Sequence, residues 1–116
     1  MSNVADNTRW LDATAQAELI ATGEATSSEL VDAAIERIER LDGEINAVIM
    51  RWFDRARAQA SAFDELPARS NRRAKPFAGV PFLIKDLGIH AAGMPITSGN
   101  RAALEAQPHS KHDSHL

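Results

Sequence analysis

The apolar run VPFLI at residues 80–84 is the feature that most constrains the fold. It is too short for a helix, and a glycine and a charged Lys-Asp pair bound it, so it predicts a buried strand. Pro81 cannot donate a hydrogen bond to a sheet, which places it near the start of that strand or at an edge. The other candidate is INAVIM at residues 45–50, which indicates a strand or an extended segment. Because two strands make a poor sheet, the sequence predicts the opening of an α/β domain whose remaining strands are missing.

Two helices with recognisable termini precede this run. Asp12 can cap a helix that stops at Gly23. Thr26 and Glu29 form a capping box that begins a longer helix, TSSELVDAAIERIERL, and Gly43 is expected to end it. Apolar residues at helical spacing predict the buried face of this second helix: Leu30, Val31, Ala34, Ile35, Ile38 and Leu41.

Further helix is predicted on both sides of a polar loop. Residues 51–66, RWFDRARAQASAFDEL, indicate a third helix. Its apolar side comprises Trp52, Phe53, Ala56, Ala60 and Phe63. Prolines and polar residues mark 67–76 as a loop, and RAALEAQ at residues 101–107 is long enough for one or two helical turns.

Composition excludes several classes of function. The 116 residues suffice for one small domain, and a formal net charge of -3 gives no indication of a nucleic-acid or anionic-membrane partner. The absence of cysteine excludes a disulfide scaffold and a thiolate metal site, and it is compatible with the cytoplasm. No signal peptide is recognisable, and no apolar run approaches the ~20 residues of a membrane helix. We therefore expect a cytoplasmic protein without membrane contact.

Lys85, at the end of the predicted strand, has two interpretations. Its stem can pack while the ammonium group reaches solvent, and local sequence alone favours this interpretation. Alternatively the side chain is partly buried, which favours loss of its proton and suits a general base. Asp86 need not pair with it, because adjacent residues on a strand face opposite sides.

The motif GVPFLIKDL, followed by the spacing G-x-x-x-T-S-G, resembles the amidase signature family. The upstream stretch ATGEATSSELVDAAIERIERLDGEINAVI is similar to the opening of that family, so the resemblance covers roughly residues 10–116. It implies an α/β fold in which these helices and first strands belong to a mixed sheet.

The resemblance also implies a mechanism. Family members hydrolyse amides with a serine nucleophile, a second serine in a cis peptide bond, and a lysine that takes up the proton. Lys85 matches that catalytic lysine. The residues around it that match the family motif are Gly79, Pro81, Asp86, Gly93, Thr97, Ser98 and Gly99. Asn100 stands where the family often has serine.

The serines of the family are not recognisable here, because no Gly/Ser-rich segment follows Lys85. Ser27 and Ser28 are adjacent, but their place at a helix start explains them as capping residues. Residues 1–116 are thus expected to be the N-terminal part of a single amidase domain, truncated before the catalytic serines, and inactive alone. The terminal HDSHL is expected to cap a following helix.

Several alternatives remain open at this stage. Within the family, FAGVPFLIKDL looks closest to amidases of linear or cyclic aliphatic amides, such as nylon-oligomer cyclic-dimer hydrolases, with the amidase subunit of glutamyl-tRNA amidotransferase as a rival. Outside it, a non-catalytic helical binding module would explain the missing serines. The resemblance implies a small-molecule amide substrate in the complete protein, no cofactor and no metal, and it leaves the oligomeric state open. An isolated chain is expected to expose the apolar faces of 26–42 and 79–86 that a sheet would cover.

Two polar clusters have ordinary explanations. His109, His112 and His115 are three residues apart, a spacing that can suit zinc on a helix, but they lie in a polar tail after a proline, which favours a solvated segment. His90 is expected in a loop. The loop at 67–76 carries four basic residues without interleaved aromatics, so a solvated surface is favoured over phosphate binding: Arg69, Arg72, Arg73 and Lys75.

Overall fold

The computed structural model of the chain describes residues 3–106 and 108–115. These residues form two compact units, of which the first ends at Pro81 and the second begins at Phe82. The helices of the first unit are α1 (Asn3–Thr8), α2 (Ala13–Thr22), α3 (Ser27–Ile45) and α4 (Phe53–Asp64), and the second unit contains α5 (Arg101–Ala106). None of these helices combines the length and the apolar character needed to cross a membrane.

The described residues contain no named strand, so the strand prediction at 80–84 is wrong and the implied mixed sheet is not found there. Residues 46–49 have no regular secondary structure. Within residues 3–106 and 108–115, strand pairing is limited to an isolated antiparallel bridge between Pro95 and His109. A strand requires a neighbour for its backbone N–H and C=O groups. At 45–50 those groups bind locally instead, since Ala47 and Val48 donate to the side chain of Asp42. The part of the chain that is described is therefore helical.

The predicted starts of α2 and α3 are confirmed, because they depend on local chemistry, whereas the helix predicted over 51–66 is observed over Phe53–Asp64. The Asp12 side chain accepts a hydrogen bond from the Ala15 amide at 2.9 Å, and Gly23 ends α2 with a φ of 78°. The Thr26 side chain accepts from the Glu29 amide while the Glu29 carboxylate accepts from the Thr26 amide, so both halves of the capping box are present.

The end of α3 differs from the prediction. The helix continues past Gly43 and ends with Asn46 in the left-handed conformation, at a φ of 55°. Asp42, of which 6% is exposed, accepts hydrogen bonds from the two amides that follow the turn and from Arg51 at 3.0 Å. This carboxylate gives the chain leaving the helix its hydrogen-bond partners, which a glycine signal alone does not reveal.

The core of the first unit lies on α3, which packs against α1 and α4. Leu30 is fully buried and belongs to one cluster with Ile20, Ala25 and Phe63. A second cluster joins Val31 and Ile35 of α3 to Ala60 of α4, with Phe53 and Ala56 beside it. The predicted apolar sides of α3 and α4 are thus largely confirmed, although Leu41 is 52% exposed.

Gly79 lies against this core at the end of the first unit. Its φ is 78°, and a Cβ atom built on it would come within 2.6 Å of Phe63 Cε1 and 3.1 Å of Ile20 Cδ1. The Ser27 hydroxyl donates a 2.5 Å hydrogen bond to the Gly79 carbonyl, which ties this segment to the start of α3. Both the backbone conformation and the close approach require glycine.

The last residue of α4 caps the first turn of α3. The Asp64 carboxylate accepts hydrogen bonds from the Ser27 amide at 2.8 Å, the Ser28 amide at 2.9 Å and the Ser28 hydroxyl at 2.6 Å. Burial alone would raise the pKa of Asp64, but the Ser28 hydroxyl and amide, the Ser27 amide and the Arg73 charge outweigh it and lower the pKa below 3.8. A negative charge here also complements the positive end of the helix dipole.

We expect Asp64→Asn to destabilise the first unit by about 1–3 kcal/mol at neutral pH, because an amide presents a donor to the helix amides. A carboxyl group whose pKa is lowered by folding stabilises the protein above its unfolded pKa, and this contribution disappears as the pH falls. The difference in the free energy of unfolding between the wild type and Asp64→Asn is therefore expected to shrink below pH 3.8. Urea unfolding across pH measures it, and Glu65→Gln, on the exposed neighbour, is the matched control. An equal effect of the two variants would contradict the cap.

Candidate active site

Lys85 lies in the second unit, in an exposed segment without regular secondary structure. The three apolar residues before it are also exposed, with relative accessibilities of 72% for Phe82, 65% for Leu83 and 42% for Ile84. The predicted burial of this run is therefore wrong in the isolated chain, whereas its expected exposure without a covering sheet is confirmed. The corresponding expectation for α3 is wrong over most of its length, because α1 and α4 cover it.

Within the described residues, the Lys85 ammonium forms no salt bridge, either with Asp86 or with another carboxylate. The motif itself is divided between the two units, since Gly79 and Pro81 belong to the first, and Lys85 and Asp86 to the second. The exposed amine is thus available to a group supplied from elsewhere.

Asp86 holds the turn that contains the second half of the motif. One carboxylate oxygen accepts a hydrogen bond from the Thr97 amide at 2.6 Å. The other accepts from the Thr97 hydroxyl and, at 3.3 Å, from the Gly99 amide. Two pieces of the sequence motif that are separated along the chain are therefore joined by one side chain.

The turn at 97–99 is shaped to receive that carboxylate. Thr97 is 4% exposed, Ser98 has a φ of 52° and Gly99 a φ of 68°. Successive amides in such a turn form a concave nest that binds negatively charged oxygen atoms. Ser98 has a conformational cost in the left-handed region that glycine does not, so the turn depends on its hydrogen bonds.

These hydrogen bonds lower the pKa of Asp86. The Thr97 hydroxyl and amide, with smaller contributions from the Gly99 and Ser98 amides, lower the pKa below 3.8 against the opposing effect of burial. The carboxylate is therefore ionised at neutral pH, and its charge is directed at the turn.

Asn100, which departs from the usual family residue, has a structural role at the start of α5. Its side-chain oxygen accepts a hydrogen bond from the Ala102 amide at 2.9 Å, and its own amide donates to the Thr97 carbonyl at 2.9 Å. An N-terminal cap can be formed by asparagine as readily as by serine, so this substitution preserves the local structure.

The histidine-rich tail folds back on the loop after Lys85. The Ser114 amide donates to the His90 carbonyl at 2.8 Å, Asp113 accepts from the Ala92 amide at 2.7 Å, and His90 stacks on His112 with ring centroids 5.7 Å apart. Asp113 and Ser114 therefore do not cap a helix among the described residues. No group of three or more His, Asp or Glu side chains in residues 3–106 and 108–115 is arranged to hold a metal ion.

Two other sequence candidates are structural. The Ser27 hydroxyl donates to the Gly79 carbonyl and the Ser28 hydroxyl donates to the Asp64 carboxylate, so both serines are structural. The N-cap of α3 is Thr26, so their predicted capping role is wrong. In the basic loop, Arg69, Arg72 and Lys75 are exposed, but Arg73 donates to the carbonyl groups of Phe63, Asp64 and Leu66 and lies over the Phe63 ring at 4.8 Å. Composition did not distinguish Arg73 from its neighbours.

Comparison with known proteins identifies the class to which this arrangement belongs. Residues 29–116 match the Amidase family. The 6-aminohexanoate-cyclic-dimer hydrolase of Paenarthrobacter ureafaciens is 39% identical over 107 residues, which cover 92% of this chain and 20% of that enzyme. One subunit of the glutamyl-tRNA(Gln) amidotransferase of Anaeromyxobacter dehalogenans is 42% identical over 82 residues, or 71% of this chain and 16% of that protein.

A solved structure of 6-aminohexanoate cyclic dimer hydrolase superposes with a TM-score of 0.74 at 35% identity, covering 98% of this chain and 20% of that one. The chain belongs to the amidase family, as its sequence motif indicated. It spans about a fifth of the length of the relatives it matches. This membership favours the amidase interpretation over an unrelated helical binding module.

Proposed function

We propose that the chain supplies the lysine-bearing part of an amidase that hydrolyses carboxylic amide C–N bonds, with Lys85 as the general base. The observation that carries this proposal is the motif match of Lys85 and Asp86 in a chain of the amidase family, with the aspartate bound to the Thr97–Gly99 turn.

In the proposed reaction, the neutral Lys85 amine takes a proton from a serine in a cis peptide bond, and that serine takes the proton of the nucleophilic serine. The nucleophile attacks the amide carbonyl carbon, the C–N bond breaks, and the departing amine receives a proton. Water then hydrolyses the acyl-enzyme and releases the acid. These 116 residues contain no Gly/Ser-rich segment to provide the two serines, so we expect the chain alone to be inactive.

For the substrate, we favour a small linear or cyclic aliphatic amide. The similarity to the 6-aminohexanoate-cyclic-dimer hydrolase over 92% of the chain supports this choice. We place the reaction in the cytoplasm, which the cysteine-free composition is compatible with. A second candidate is the amide-hydrolysing component of an amidotransferase, which the 42% identity to the Anaeromyxobacter dehalogenans protein supports over a shorter stretch.

A hybrid enzyme tests the proposal. The matching fifth of the Paenarthrobacter ureafaciens hydrolase is replaced by this chain, and release of primary amine from the 6-aminohexanoate cyclic dimer is measured. We expect turnover by the hybrid and none by the 116-residue chain alone. Sequencing the gene beyond codon 116 provides an independent check, because the proposal expects a Gly/Ser-rich segment there. A folded hybrid without turnover, together with non-coding sequence downstream, would contradict the proposal.

A further inference from the structure

We propose that Asp86 is a positioning residue for Lys85, and that it acts by binding its carboxylate to the nest of the Thr97–Gly99 turn. This inference rests on the proposed function of Lys85. Asp86 contacts neither the substrate nor the reacting atoms in this proposal, and its effect reaches the reaction only through the adjacent lysine.

The turn at 97–99 binds the Asp86 carboxylate. Both of its oxygens accept hydrogen bonds, and two backbone amides and one hydroxyl group donate them. Charge-assisted bonds of this kind are about twice as strong as those between neutral groups. A carboxylate held by three donors has a fixed orientation, which fixes the backbone that carries it.

Packing of the preceding residues does little to hold Lys85 in place. The residues before it, Phe82, Leu83 and Ile84, are exposed and provide little packing. The attachment of residue 86 to the turn at 97–99 therefore determines the direction of the chain at Lys85 from its C-terminal side.

The charge of Asp86 matters as well as its position. A carboxylate paired with a lysine favours the protonated ammonium form, which cannot accept a proton. In this structure Asp86 and Lys85 form no salt bridge although they are neighbours, because the carboxylate binds the turn. We call the hydrogen bonds between the Asp86 carboxylate and the turn at 97–99 the clamp. The clamp keeps the carboxylate from pairing with Lys85 while it holds the lysine in place.

The consequence for catalysis follows from geometry. A general base must lie within hydrogen-bond distance of the group whose proton it takes. A misplacement of about 1 Å can cost about 100-fold in rate. Loss of the clamp is therefore expected to lower kcat and to leave KM nearly unchanged, since binding of the substrate does not use Asp86.

The clamp can be measured in the 116-residue chain without any assay of activity. Asp86→Asn is expected to increase the hydrogen-exchange rates of the Thr97 and Gly99 amides at least about tenfold, because a neutral acceptor replaces a charged one. Asp113→Asn is the matched control, since Asp113 is an exposed aspartate of the same unit that binds a single amide. Unchanged exchange at both amides in Asp86→Asn would overturn the proposal.

Its effect on catalysis is measured in the active hybrid. Asp86→Asn and Thr97→Val are expected to lower kcat about 10- to 100-fold at constant KM, and Thr97→Ser, which keeps the hydroxyl donor, to restore most of it. Asp113→Asn is expected to be nearly neutral. Full kcat in Asp86→Asn, with Lys85→Ala inactive, would overturn the positioning role alone. Full turnover in Lys85→Ala would instead overturn the proposed function.

Discussion

Lys85→Ala is expected to lower kcat of the hybrid amidase by about 100- to 10,000-fold, the usual contribution of a general base. Alanine removes the amine that, in the proposed mechanism, takes the proton of the serine in the cis peptide bond. Lys85→Arg is expected to be similarly inactive, because a guanidinium group does not lose its proton in proteins. Initial rates with the 6-aminohexanoate cyclic dimer, over a range of substrate concentrations, separate kcat from KM.

The control for this variant is Lys111→Ala, which removes another exposed lysine of the same unit. We expect it to retain wild-type turnover. Since Lys85 is exposed in the chain, neither alanine variant is expected to change the unfolding transition of the 116 residues by more than about 0.5 kcal/mol. A wild-type kcat in Lys85→Ala would contradict the assignment of Lys85 as the general base.

Gly79→Ala is expected to destabilise the first unit by about 2–4 kcal/mol, the sum of backbone strain and overpacking. The added Cβ would meet Phe63 Cε1 at 2.6 Å. The ring cannot retreat freely, because it is buried in the core and the Arg73 guanidinium lies over it at 4.8 Å. A loss of this size is a large part of the total stability of a small protein.

Gly23→Ala provides a matched control for the steric part. Gly23 has the same φ of 78°, but a Cβ on it meets nothing within 4 Å. This variant is expected to cost only the backbone strain, about 1–2 kcal/mol. Urea unfolding followed by far-ultraviolet circular dichroism measures both. Equal losses in the two variants would show that the contact with Phe63 has no energetic weight.

The helix starts could be predicted from the sequence because each depends on residues three or four positions apart. Asp12 and the Thr26–Glu29 pair need only their own helix to form the predicted hydrogen bonds. The end of α3 could not be placed in the same way. Its Asn46 turn is supported by Asp42 and Arg51, and no local rule gives a buried helical aspartate that function.

The candidate site was predicted as a set of residues but not as an arrangement. Lys85, Asp86, Thr97 and Gly99 were identified together by their resemblance to a family motif. Their hydrogen bonds were not, because contacts between residues that are 11 and 13 positions apart depend on how the intervening loop folds. The role of Asn100 as a cap was missed for a different reason: the comparison with serine emphasised the change rather than the shared capping ability.

The sequence by itself determined the starts of α2 and α3 and the lysine motif of an amidase, since these are properties of neighbouring residues. Only the tertiary structure decided whether residues 80–84 form a strand. Their apolar character favours a strand, but strand formation requires a partner for every second backbone group, and the described residues provide none. It was likewise the fold that placed the Asp86 carboxylate in the turn at 97–99 and left Lys85 exposed beside it.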